Sequence, residues 1–286
     1  MKMAEQSTFD SKDPIAWCPG CFNHAILQAV KGALTRTGIP PHQTAFSSGI
    51  GQAAKLPHYL RCNLFNGLHG RALPAAQGIK LANHSLQVIA EGGDGDGYAE
   101  GGNHFVHAMR RNLTLTYLIH NNQVYGLTKG QASPTSEAGF VSPSTPFGSL
   151  NLPEQPLMMA IAAECSLVAR GFAGDIEHLT GLIAAALNNP GFSFIDILQP
   201  CVTFNKFNTL KWYQERVYKL PPEYDPFDKG AALARAQEWG ERIPVGIIYR
   251  NSRKPLEQRL PQLEKETLLS QALDLPARHQ LVDEFR

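Results

Sequence analysis

Apolar positions recur at helical spacing between His24 and Thr37, where Ile26, Leu27, Val30, Ala33 and Leu34 fall on one side. That 3.6-residue period predicts an amphipathic helix, and Gly38 followed by Pro40 and Pro41 ends it. Short apolar runs bounded by polar residues predict strands at Thr44–Ser48, Leu86–Ala90, Leu113–Ile119, Ser166–Ala169 and Phe192–Leu198. Helical patterns lie between them, at Arg71–Ala82, Gly102–Arg111, Leu157–Glu164 and Glu177–Leu187. Pro74 falls near the first turn of its helix, where the missing N–H is tolerated.

Strand and helix therefore alternate from about residue 44 to residue 200. This predicts an α/β fold, a mostly parallel sheet with helices on both faces. Residues 1–16 read as a loose arm. Tyr125–Pro156 is rich in Gly, Ser, Thr and Pro, and a loop of that length in a compact domain is usually functional. After residue 204 the texture changes to aromatic and charged residues, including "PPEYDPFD". The chain is accordingly divided into a core, 1–204, and a C-terminal extension, 205–286. The extension is expected to pack on the core or on a partner, with a helix, a strand at Val245–Tyr249 and a charged terminal helix. No internal repeat or low-complexity tract is evident.

Composition narrows the field. Lys plus Arg number 26 and Asp plus Glu 25 in 286 residues, a net charge of +1, so nothing electrostatic argues for nucleic acid. Hydrophobic residues make up 43%, enough for a real core. No apolar run is long enough to span a membrane, and the polar start MKMAEQSTFDSKDP has no signal-peptide character, so a cytoplasmic location is expected. Five cysteines, at 18, 21, 62, 165 and 201, then read as thiols or metal ligands rather than a disulfide framework.

The chemistry concentrates at strand ends. "EGGDGDGY", Glu91–Tyr98, follows the Leu86–Ala90 run, and "HNNQVYG" follows the next strand. Open parallel sheets bind ligands at the carboxyl ends of their strands. Asp94 offers a hard oxygen to Mg²⁺, and Asn122 with the Val124 carbonyl could complete part of an octahedral site shared with diphosphate oxygens. GDG by itself reads first as a tight turn with a solvated aspartate. GDG at one strand end with Asn-Asn at the next resembles a thiamine-diphosphate motif.

Five motifs in order, "WCPGC" (17–21), "KLPHY" (55–59), "GLHGRALP" (67–74), "GDGDGYAEGGNHF" (93–105) and "NQVYGLTKGQASPTS" (122–136), extend that resemblance. Together they are similar to the beta subunit of 2-oxoacid:ferredoxin oxidoreductases, the 2-oxoglutarate branch in particular, over about residues 14–250. The resemblance implies a thiamine-diphosphate-binding fold of the pyrophosphate type in residues 1–204. It implies a thiamine-diphosphate enzyme that converts a 2-oxoacid and coenzyme A to acyl-CoA and CO₂, passing electrons to ferredoxin. Mg²⁺ would be held by Asp94, Asn122 and the Val124 carbonyl. Cofactor-binding positions would include Gly51, His69, Gly70, Arg71, Gly93, Gly95, Asp96 and Tyr125. Lys55 matches a lysine that meets the substrate carboxylate, and Lys55 and His69 are the catalytic candidates. Leu127 and Lys129 would set substrate size and charge, a cationic Lys129 favouring a second carboxylate. A glutamate for the aminopyrimidine ring would come from an alpha subunit that bears the pyrimidine-binding domain.

Cys18 and Cys21 form a CxxC pair, which alone fits zinc, a redox pair or a cluster. The resemblance implies a [4Fe–4S] cluster on Cys18, Cys21, a third cysteine after "GIG" and Cys201. Gln52 stands where that third cysteine is expected, and Phe22 where the pattern has glycine. Three thiolates could hold a three-iron cluster, or a four-iron cluster with a weak ligand such as Gln52. Cys62 could fold back, although Cys62 and Cys165 read better as inert core thiols. Two other readings remain: a non-redox thiamine-diphosphate decarboxylase subunit, and a zinc-stabilised scaffold without activity.

Overall fold

The computed structural model describes residues 6–272 and 280–284. The first helix is α1 (Asn23–Thr37), ended by Gly38 in the left-handed conformation at φ 69°. It leads to β1 (Thr44–Ser48) and β2 (Asn63–Asn66), joined through a 3₁₀ segment at Ala53–Tyr59. Then come α2 (Ala72–Ala82), β3 (Gln87–Gly93), α3 (Gly102–Arg111) and β4 (Leu115–Asn121). A small hairpin, β5 (Val124–Tyr125) and β6 (Gln131–Ala132), opens the long loop that ends at α4 (Pro156–Ala162). The core closes with β7 (Leu167–Phe172), α5 (Ile176–Leu187) and β8 (Phe192–Leu198). Beyond it lie α6 (Leu210–Gln214), β9 (Val217–Lys219), α7 (Lys229–Gln237) and β10 (Ile243–Arg250).

Eight strands form one sheet in the order β2-β1-β3-β4-β8-β7-β10-β9. The six strands from β2 to β7 are parallel, whereas β10 runs antiparallel to β7. Buried strands with helical crossovers need both faces covered. One face meets α1 and α5 through Ile89, Leu118 and Ile195, and the other meets α2, α3, α4 and α7 through Val88, Tyr117 and Phe194. Neighbouring residues of one strand serve opposite layers, as the two-residue pleat requires. The predicted α/β sheet with helices on both faces is therefore the architecture found.

Several expectations need correction. Residues 1–5 of the expected loose arm lie outside the described residues, and the arm is anchored at Phe9 and Asp10: Phe9 is fully buried, its carbonyl accepts from Arg61 N at 2.9 Å, and Asp10 bridges to Leu60. The strand expected to stop at Ala90 continues to Gly93, because Glu91, Gly92 and Gly93 pair with Leu118, Ile119 and His120 of β4. The strand expected at Ser166–Ala169 runs on to Phe172 for the same reason, its partner being β8. β2 carries only the two-residue apolar run Leu64–Phe65, too short to read as a strand; all four of its residues are exposed, and β1 supplies its parallel partner. The charged terminal helix falls partly on residues 273–279 and 285–286, outside the described residues. Within residues 251–272 the chain makes two short 3₁₀ turns, at Glu257–Arg259 and Pro261–Leu263. That strap is tied down by Arg253. Its guanidinium donates to the carbonyls of Arg110 at 2.9 Å, Ala163 at 3.2 Å and Glu164 at 3.1 Å, sealing the C-terminal ends of α3 and α4.

Candidate active site

The site begins where β3 stops. Asp94 follows the last strand residue directly, and Gly95–Glu100 then winds as one π-helical turn before α3. Such wide turns are uncommon and frequently lie at functional sites. Glycine is needed inside the turn. A Cβ on Gly95 would stand 2.2 Å from a ring carbon of Tyr125. Gly70, at φ 66°, approaches the Glu100 carbonyl so closely that a Cβ would sit 2.3 Å from it.

Asp94 is 1% exposed. Ser133 Oγ and Thr135 Oγ1 both donate to its Oδ2, at 2.5 Å and 2.7 Å. Burial pushes the carboxyl up to about 6 against the lowering effect of those two hydroxyls. Thr135 Oγ1 also lies 2.9 Å from Asn121 Oδ1, whose amide donates to buried Asp196 at 3.1 Å. The floor of the site is thus a hydrogen-bonded net rather than a solvated turn.

Asn122 follows β4 as Asp94 follows β3, so adjacent parallel strands deliver both groups to one edge. Its Oδ1 accepts from Val124 N at 3.1 Å. Gln123 takes φ 58°, strained for a side chain of its size. It is held there by Nε2 donating to the Thr135 carbonyl at 2.8 Å and by Tyr213 donating to its Oε1 at 3.1 Å.

One cavity collects most of the predicted cofactor set. Gly51, His69, Gly93, Asp94, Gly95 and Asp96 line one side, and Asn122, Val124, Tyr125 and Leu127 the other. Asp96 faces the protein: its Oδ1 accepts from Ile50 N at 3.0 Å and Gly70 N at 2.8 Å, with His69 Nδ1 3.4 Å away. Its role visible here is to hold the 49–51 and 69–70 turns together. Gly70 contributes through that N–H and is not on the cavity wall. Arg71 is exposed and turns to the carbonyls of His69 and Glu100, each at 3.4 Å. Lys55 is half-buried in the Ala53–Tyr59 segment, and Lys129 is exposed at φ 76°. Neither lines the cavity.

A second cavity adjoins the first and contains Cys18, Cys21, Cys201 and Gln52; Gln52, Asn122 and Gly126 line both. Cys18 and Cys21 close a turn, Cys21 N donating to the Cys18 carbonyl at 3.0 Å across Gly20 at φ 75°. Burial raises the Cys21 thiol, the Asn23 backbone opposes this, and the nearby Cys201 and Cys18 add to the rise. Gln199 Nε2 approaches Cys21 Sγ at 3.8 Å, and Phe204 N donates to Cys201 Sγ at 3.4 Å. Among the described residues no three His, Cys, Asp or Glu side chains gather closely enough for a single metal ion. The three cysteines share the lining of that one cavity. Cys62 is elsewhere: it precedes Asn63, which pairs with Ala45 near the opposite end of β1. Cys165 is buried, its Sγ 3.3 Å from the Leu167 carbonyl oxygen and 3.2 Å from that of Phe192, with one S–H to donate between them. Burial pushes both thiols up to about 12, in keeping with inert core cysteines.

Sequence reasoning missed the supporting residues. Ser133 and Thr135 sit inside the last of the five motifs, and their density of hydroxyls was the available signal. Glu91 and His120 gave none. Both are fully buried, His120 Nε2 lies 3.5 Å from Glu91 Oε1, and neither the glutamate oxygens nor that nitrogen has a hydrogen bond. His120 Nδ1 meets Asn23 Oδ1 at 2.8 Å, and the same oxygen accepts from Gln199 Nε2 at 2.8 Å. A polar string thus runs from β3 to the cysteine cavity.

Comparison with known proteins agrees with this geometry. Residues 43–197 match the family described as thiamine pyrophosphate enzyme, C-terminal TPP binding domain. Residues 201–265 match the family that describes the C-terminal part of pyruvate ferredoxin oxidoreductase beta subunits. The 2-oxoacid:ferredoxin oxidoreductase subunit beta of Saccharolobus solfataricus is 43% identical over 281 residues, covering 93% of this chain and 90% of that one. Subunit beta of 2-oxoacid:ferredoxin oxidoreductase 1 from Aeropyrum pernix is 46% identical over 258 residues, covering 86% and 81%. The solved 2-oxoglutarate:ferredoxin oxidoreductase from Magnetococcus marinus, with 2-oxoglutarate, coenzyme A and succinyl-CoA bound, matches at a TM-score of 0.92. It shares 34% identity, over 100% of this chain and 97% of that one.

Proposed function

Because this chain belongs to the family of 2-oxoacid:ferredoxin oxidoreductase beta subunits, we propose that it supplies the diphosphate-binding half of an active site completed by an alpha subunit. The substrate in this reading is 2-oxoglutarate, converted with coenzyme A to succinyl-CoA and CO₂, in a reaction that runs in either direction. The carrying observation is the pair Asp94 and Asn122, delivered by adjacent strand ends to one cavity, with Asp94 anchored by Ser133 and Thr135.

The donor set fits the implied groups. A buried carboxylate, an amide and a backbone carbonyl are the hard oxygen donors Mg²⁺ takes. Asp94, Asn122 and the Val124 carbonyl would hold the ion, and His69 and the glycine turns at 51, 93 and 95 would face the diphosphate. Bound thiamine diphosphate supplies the carbanion-stabilising chemistry. The protein's part is to bind, orient and shield it, with Lys55 and Lys129 offering positive charge to substrate carboxylates from outside the cavity wall. Cys18, Cys21 and Cys201 would hold an iron–sulfur cluster in the adjoining cavity, beside the cofactor and within reach of an electron acceptor such as ferredoxin. Three thiols lining one cavity beside the cofactor site, two of them approached by N–H donors, suit a cluster better than the tetrahedral zinc of a scaffold protein. No helix among the described residues is long and apolar enough to cross a membrane.

The test is to co-produce the chain with its alpha subunit under anaerobic conditions and assay 2-oxoglutarate- and coenzyme A-dependent reduction of ferredoxin or a viologen dye. Dye reduction that depends on both substrates is expected. Carbon dioxide release without electron transfer would move the assignment to a non-redox decarboxylase.

A further inference from the structure

An unpaired amide oxygen at the cysteine cavity leads to an inference that rests on the iron–sulfur reading above. Gln52 Oε1 is buried and has no hydrogen-bond partner, a state that costs free energy unless something else satisfies the oxygen. The backbone of Gln52 is fixed: Trp17 Nε1 donates to its carbonyl at 2.8 Å. Trp17 is itself held edge-on against His24 and Tyr59, at centroid distances of 5.2 Å and 4.7 Å. The residue stands in the wall shared by the cysteine cavity and the cofactor cavity. Two of the three sulfurs have N–H neighbours, Gln199 Nε2 for Cys21 and Phe204 N for Cys201. Cys62 does not line this cavity, so its protein donors are three thiols and the amides of Asn23, Gln52, Asn122 and Gln199. Of the buried side-chain oxygens in that lining, Gln52 Oε1 is the one without a hydrogen-bond partner among the described residues.

We propose that Cys18, Cys21 and Cys201 each hold one iron of a four-iron cluster, and that Gln52 Oε1 stands at the fourth iron, which is weakly held and exchangeable. A carboxamide is a neutral, hard donor, and irons in a sulfide cluster prefer soft thiolates. Replacing one thiolate by a neutral oxygen removes one negative charge, which raises the reduction potential. It also leaves one iron with no anionic protein ligand. Oxidation then has a defined course. [4Fe–4S]²⁺ gives one electron to ferricyanide and releases Fe²⁺, leaving [3Fe–4S]⁺ on the three thiolates.

The experiment uses the alpha–beta complex, prepared anaerobically, as wild type, Gln52→Cys and Gln52→Ala. Iron and sulfide are counted, and electron paramagnetic resonance spectra are recorded before and after ferricyanide. Wild type is expected to release one iron per cluster and develop a three-iron signal, reversed by Fe²⁺ with dithionite. Gln52→Cys is expected to keep four irons under the same treatment and to titrate at a lower potential. Gln52→Ala keeps the three thiolates and is expected to show the three-iron signal as isolated. A wild-type cluster as resistant as that of Gln52→Cys, or an intact four-iron centre in Gln52→Ala, overturns the role of Gln52. Absence of iron and sulfide from wild type overturns the underlying iron–sulfur reading as well.

Discussion

At the scale of single residues, the site is decided by what surrounds its carboxylates. Asp94 must be ionised to bind a cation, yet burial lifts it to about 6, so below that pH a proton competes with the metal. Affinity for Mg²⁺ and thiamine diphosphate, read by calorimetry, is expected to fall as pH drops through about 6. Thr135→Val removes one hydroxyl that favours the ionised form and is expected to weaken binding about ten- to hundredfold, with the loss setting in at higher pH. Glu91 behaves differently. Burial raises it well above its usual 4.5, and its facing groups carry no charge to offset an ionised carboxylate. His120 is pushed down to about 3 and the Cys62 thiol up to about 12. The folded state therefore holds a proton on Glu91 that the unfolded chain loses above about pH 4.5, and stability contributed here falls as pH rises. Glu91→Gln is expected to flatten that slope, by up to about 1.4 kcal/mol per pH unit, in urea titrations between about pH 5 and pH 8. A slope equal to that of wild type would show that Glu91 is ionised in the fold. Asp94 and Asn122 were legible in the sequence because each stands just past a strand, Asp94 between two glycines and Asn122 in an Asn-Asn pair. Ser133 and Glu91 were not, since one lies 39 residues from the carboxylate it supports and the other looks like any polar residue closing a strand.

At the scale of elements, the sheet edge does the assembling, and in the proposed function the 125–132 loop would do the selecting. β3 and β4 are parallel neighbours in register from Ile89–Thr116 to Gly93–His120, so their ends arrive together whatever the connecting helix does. Strands with an apolar run were readable at Thr44–Ser48 and Phe192–Leu198 to the residue. The Glu91–Gly93 extension and the π turn were hidden, because glycines carry no periodicity and a wide turn follows from packing around Tyr125, not from local propensity. The loop itself leaves the strand end through β5, turns back on β6, and places Lys129 at its exposed tip with φ 76°. A cation there suits a substrate with a second carboxylate. Lys129→Met is expected to lower the preference for 2-oxoglutarate over pyruvate roughly ten- to hundredfold, as for loss of a charge-assisted hydrogen bond worth about 1.5–3 kcal/mol. An unchanged ratio of kcat/KM values would remove Lys129 from the selectivity.

At the scale of the whole molecule, the cofactor cavity accounts for one end of the proposed cofactor. All donors on the cofactor cavity come from the carboxyl edge of one sheet and the turns beside it, and no glutamate lines that cavity among the described residues. Thiamine diphosphate, however, presents two chemically distinct ends: a diphosphate that wants metal and N–H donors, and an aminopyrimidine that needs a carboxylic acid partner to become reactive. The cavity among the described residues offers the first set, and in the proposed function the alpha subunit supplies the second. The isolated chain is accordingly expected to show no turnover of any 2-oxoacid, and activity is expected to rise on titration with the alpha subunit and saturate at equimolar ratio. Asp94→Ala separates assembly from chemistry. The substitution lies at the cavity floor, so that variant should still form the complex, measured by size-exclusion chromatography with light scattering, while binding no thiamine diphosphate and turning over no substrate. Turnover by the purified chain alone would show that a complete site exists within it. An Asp94→Ala complex with wild-type cofactor content would show that the metal is held from the partner's side of the interface.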